Sequence, residues 1–92
     1  MSLADDLAQA LGATAAALDA GDPVAAAAAM DRASAARREL EASGRSLSPG
    51  ERERAQALFA DCQRAAGRFQ ASLGLALERV GRSQRARSAY RR

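Results

Sequence analysis

Histidine, lysine, tryptophan, isoleucine and asparagine are missing from this chain, and it has a single cysteine, Cys62. Without histidine and with one thiol, the common nucleophile–base pairs cannot be assembled. The same shortage excludes ordinary zinc, haem and iron–sulfur sites, and one cysteine cannot form a disulfide within the chain. Aromatic residues make up only 3% of the chain, and β-branched residues are scarce, so neither a β-sandwich nor a doubly wound sheet has the material it needs. The longest uncharged run, Leu7 to Leu18, is too short to span a membrane, and the aspartates before it are the wrong charge for a secretory signal. The carboxylate pairs Asp5/Asp6 and Glu51/Glu53 sit where helix starts favour acids, which argues against a catalytic role for them. These absences argue against an enzyme.

What is present is alanine, with 26 copies in 92 residues, and arginine, which supplies all 14 cations. Ala, Leu, Arg, Glu and Gln are strong helix formers, so the expectation is a single all-α domain over residues 1–92. Part of this bias is also what a GC-rich genome produces.

The first helix is predicted over about residues 3–20, with Leu3, Leu7, Leu11 and Leu18 on one side and Ala10, Thr14 and Ala15 between them. Gly21 then reads as a left-handed stop, Asp22 as an N-cap and Pro23 as the first residue of a second helix that runs to about Ser43. A connection this short makes antiparallel neighbours. The run Ala25–Ala29 blurs the second helix's register, for which the expected buried stripe is Ala26, Met30, Ala33, Arg37 and Leu40, with Val24 near its start. Gly44 reads as the second stop. Ser48-Pro49-Gly50-Glu51 then matches a capping box, the sharpest local signal in the chain.

The third helix, expected over 49–90, carries steps of four and three through Ala55, Phe59, Cys62, Ala66, Phe69, Leu73, Ala76 and Val80. Phe59 and Phe69 are expected in the core, and Cys62 as a small inert core residue. Helical to Tyr90, this element is about 60 Å long, roughly twice either of the others. The expected architecture is therefore an antiparallel three-helix bundle, or a hairpin with a long C-terminal helix whose far half projects, stops, or packs against another chain. If it projects, Leu73, Leu75, Leu77 and Val80 form an apolar patch of the kind that marks a partner site. Gly67, Gly74 and Gly81 recur every seven residues and predict that this half frays more readily than the first.

Charge is divided along the chain: residues 1–43 hold seven acids and three arginines, and residues 44–92 hold four acids and eleven arginines. From Arg79 onward there are six arginines and no acid. A nucleic-acid role for this basic segment, 79–92, lacks a recognised motif and has Tyr90 as its one aromatic for stacking. Cations in a last helical turn that complement the macrodipole explain it more simply.

The layout resembles the small flagellar export chaperones of the FliT and FlgN type. The residues that carry the resemblance are Gly21-Asp22-Pro23, Leu47-Ser48-Pro49-Gly50-Glu51, and Val80-Gly81-Arg82 through Ala89-Tyr90-Arg91. The resemblance implies a cytoplasmic chaperone that binds the amphipathic C-terminal helix of a filament-cap or hook–filament junction protein. Such a chaperone keeps that protein unassembled and delivers it to the membrane export gate, using no nucleotide or metal. It also implies a mobile terminal helix and a tyrosine linked to gate docking, for which Tyr90 is the matching position. On this reading Phe69, Leu73, Ala76, Leu77 and Val80 line the substrate-helix groove. Tyr90 with Arg82, Arg85 and Arg87 forms the export-gate docking surface. The rival reading of the same residues is an interaction module that forms a homodimer through the projecting helix, with no export role.

Overall fold

The computed structural model describes the backbone of residues 2–90 and the side chains of residues 2–85. It contains three helices, α1 (Leu3–Asp19), α2 (Pro23–Ser43) and α3 (Pro49–Tyr90), and measures 67 × 19 × 17 Å. The all-α expectation and the helix boundaries hold to within a residue.

Each helix end forms where its local chemistry dictates. Ser2 caps α1 by accepting from the amide of Asp5 at 3.2 Å. At the other end Gly21 takes φ 72°, its amide donating to the Leu18 carbonyl while that of Asp22 donates to Ala17. That pair of bonds is a Schellman stop, and it needs the conformational freedom of glycine. Asp22 then accepts from the Ala25 amide at 3.0 Å, so one residue ends the turn and the next begins α2. Both halves of the expected capping box are made. Glu51 N–H donates to Ser48 Oγ at 3.2 Å, and Ser48 N–H donates to Glu51 Oε1 at 2.9 Å.

The packing places α1 in the middle. α1 packs on both α2 and α3, whereas α2 and α3 nowhere bring Cα atoms within 8 Å of each other among the described residues. Ala10, Leu11, Ala33 and Cys62 form a core cluster drawn from all three helices, with Leu7, Ala15 and Leu58 packed against it. Among the described residues, seven of the nine buried apolar ones are alanine, so the helices meet through small side chains and bury little area per residue. The one buried hydroxyl among the described residues, that of Thr14, donates to the Ala10 carbonyl at 2.8 Å.

Ion pairs report the direction of α3. Asp5 meets Arg54 at 3.7 Å and Asp19 meets Arg68 at 2.9 Å, fourteen residues further along both helices. Thus α1 and α3 run parallel and in step, with α2 antiparallel to α1.

Two expected stripes are corrected. In α2 the buried residues are Ala26, Ala29, Ala33 and Ala36, while Met30, Arg37 and Val24 are exposed. The helix is rolled so that its all-alanine seam faces α1, because alanines allow the closest approach and Arg37 keeps its charge in water. In α3 the side that meets α1 runs through Leu58, Cys62 and Ala65 to the half-buried Phe69. Phe59 is 50% exposed and is not a core residue. With α1 rather than α2 as its neighbour, α3 turns Phe59 past the seam toward the gap beside α2.

Candidate functional site

Because α2 and α3 do not pack on each other, a groove of ≈ 400 Å³ lies between them, with α1 as its floor. Leu7 and Leu11 form the base, Met30 and Ala33 one wall, and Ala55 and Phe59 the other. Leu47, from the α2–α3 connection, lies at one end, and Arg37 and Arg52 are on the rim. Sequence reasoning missed this groove. Its signal was present in Met30 and Phe59, two large apolar residues assigned to a core too small to take them.

The residues expected to bind a partner lie further along α3. Phe69 and Leu73 meet Leu18 and Gly21 at a depression beneath the α1–α2 turn. Ala76, Leu77 and Val80 lie beyond that turn, on the projecting half of α3, where none of the other helices reaches. Leu73, Leu75, Leu77 and Val80 are each 48–63% exposed. The structure therefore brings Phe69 and Leu73 together but does not enclose the other three in a groove.

The two apolar surfaces share one side of α3. Residues seven apart on a helix drift by ~20° per step, so Phe59, Ala66, Leu73 and Val80 form a line that winds by about 60° toward the side of Cys62, with Leu77 level with Phe59. Beyond the groove this line runs on into the projecting half. Leu75 lies on the opposite side of the helix.

The basic segment is less organised. Arg82 pairs with Glu78 on its own helix at 3.7 Å, and Arg85 donates to the Gly81 carbonyl at 3.4 Å. Both are exposed, and at 3.6 residues per turn Arg82 points away from the line through Val80. Arg87 and Tyr90, expected beside them, lie outside the described side chains.

Cys62 is buried and donates to the Leu11 carbonyl at 3.0 Å. Burial pushes its thiol above the ordinary range, which suits the inert packing role expected of it. No helix among the described residues is long and apolar enough to cross a membrane. No family model matches the chain, and neither a curated protein nor a solved structure matches it.

Proposed function

We propose that this chain is a helix-binding protein of the flagellar export chaperone kind. Its partner is the amphipathic C-terminal helix of a filament-cap or hook–filament junction protein, which it keeps unassembled in the cytoplasm and hands to the export gate. The observation that carries this reading is the uncovered apolar line of α3. Phe59 opens it beside the groove, Leu73 continues it at the α1–α2 turn, and Leu77 and Val80 carry it on, exposed, beyond that turn. An amphipathic helix reads such a line through its own i, i+3, i+4 and i+7 positions. The Gly-Asp-Pro turn, the capping box and the long third helix are the features shared with the chaperones. Gate docking is assigned to Tyr90 with Arg82, Arg85 and Arg87. No reacting group is needed at either place.

The test is a titration of a fluorescein-labelled peptide carrying the C-terminal helix of the filament-cap protein from the same genome, followed by anisotropy. The unmodified chain is expected to bind it saturably. Leu73→Asp and Leu77→Asp are expected to abolish binding with helicity unchanged. Equal binding by these variants removes the line from the site, and no binding by the unmodified chain removes the function.

A further inference from the structure

The groove has two unlike ends. The connection over residues 44–48 is where the chain crosses from α2 to α3, and its Leu47 stands at one end of the groove. Among the described residues that line the groove, Arg37 and Arg52 carry the only charges. Both lie toward the Leu47 end, because α2 runs antiparallel to α3 and the connection follows α2 and precedes α3. On each wall an arginine stands seven residues from a large apolar side chain, Arg37 from Met30 on α2 and Arg52 from Phe59 on α3. Seven residues are about two turns, or ~10 Å, and keep nearly the same side of a helix. The two walls therefore match: an apolar pair along the groove, then a basic pair ~10 Å nearer the connection.

We propose that the groove takes the C-terminal end of the partner helix, with the terminal carboxylate between Arg37 and Arg52 and the last apolar residues against Met30, Phe59 and the floor of Leu7 and Leu11. The inference rests on helix capture as the function and adds what the groove recognises and which way the captured helix runs. That helix lies antiparallel to α3, its earlier turns along Leu73, Leu77 and Val80.

Charge chooses this end of the partner. The last turn of a helix carries roughly half a negative charge from its backbone, and a free chain end adds a full carboxylate. An N-terminal end would bring the opposite sign to the same two arginines. Arg52 is in no ion pair among the described residues. Arg37 meets Glu41 at 3.3 Å, with the two side chains 76% and 66% exposed. A pair this open holds weakly, so Arg37 can exchange Glu41 for an incoming carboxylate.

Shape chooses a chain end over the middle of a helix. The lining residues of α3 run from Arg52 to Gln63, about 16 Å or three turns of a helix lying alongside. At the arginine end the connection stands in line with the groove, so a helix seated there stops. At the other end the apolar line of α3 runs on past Ala66.

The experiment uses the full chain and two forms of the labelled filament-cap peptide, identical except that one ends in a free acid and the other in an amide. At low salt the amide is expected to bind roughly three- to tenfold more weakly, and the gap to close at high salt. Arg37→Gln and Arg52→Gln are each expected to weaken the acid form and leave the amide form unchanged. Arg64→Gln, on the far side of α3, is expected to keep the gap. Direction is read separately with a nitroxide on the first residue of the peptide, expected to broaden the amide signals of Leu73 and Leu77 and to leave that of Leu47 sharp. Equal affinity of the two forms overturns the inference, as does a gap that survives in both groove variants or broadening of Leu47. The two readings fail separately. Acid and amide forms that bind equally, with binding still lost in Leu73→Asp, overturn terminus recognition and leave helix capture standing. If neither form binds, helix capture falls and this inference falls with it.

Discussion

Arg68 grips Asp19 with two nitrogens. Its Nη2 donates to both carboxylate oxygens, at 2.9 and 3.1 Å, and its Nε donates to Oδ1 at 3.0 Å. The pair ties the last turn of α1 to the middle of α3, at the point where α3 leaves the hairpin. Forked geometry makes it stronger than an ordinary surface pair, although both side chains stay half exposed.

Arg68→Ala is therefore expected to lower stability by about 0.5–1 kcal/mol, with the loss shrinking at high salt. Urea denaturation at two ionic strengths checks both statements. Arg54→Ala, whose partner Asp5 is at 3.7 Å in a single contact, is expected to cost less.

The corrected packing reverses an expectation about the largest side chains. Phe59, half exposed on the groove wall, is expected to lose only about 1 kcal/mol on truncation to alanine. Leu11, buried in the cluster shared by all three helices, is expected to lose about 2–5 kcal/mol. Thermal melts of Phe59→Ala and Leu11→Ala measure the order directly, and a costlier Phe59→Ala contradicts the placement.

The glycines of α3 make a gain available. A methyl group added at Gly67 or Gly74 meets nothing within 4 Å, and neither residue has a positive φ. Neither is held for close approach within the chain, so Gly74→Ala is expected to stabilise α3 by about 0.5–1 kcal/mol and to raise helicity. Circular dichroism through a thermal melt reads both.

Those glycines mark how far sequence reasoning reached. Helix ends were predictable because each depends on a few neighbouring residues: Gly21-Asp22-Pro23 and Ser48 with Glu51 form the turn and cap their types require. The register of α2 was not, because five consecutive alanines have no periodicity and only packing against α1 selects Ala29 over Met30. The groove was hidden for a related reason. A heptad pattern in α3 says that two sides meet something, yet not that α1 takes the side of Cys62 while that of Phe59 stays open. The pairs Asp5–Arg54 and Asp19–Arg68 join residues 49 positions apart, a spacing that no local pattern reports.

Cys62 gives a pH dependence with a definite sign. Burial holds its thiol above the ordinary range. Below about pH 8.5 folded and unfolded chains both keep the proton; above it the unfolded chain releases the proton first, so stability falls as pH rises. Cys62→Ala removes this contribution. Denaturation midpoints at about pH 7 and about pH 10 are expected to converge in the variant relative to the unmodified chain.

The central claim is that the open side of α3, from Phe59 to Val80, is where a partner helix binds. Amide and methyl chemical shifts of the labelled chain, recorded as the filament-cap helix peptide is added, test it most directly. The account predicts the largest changes at Met30, Phe59, Ala66, Leu73, Leu77 and Val80, with Leu75 and the outer face of α2 little affected. Saturable binding that instead perturbs Leu75 or Val24 and leaves the Phe59–Val80 line unmoved contradicts it.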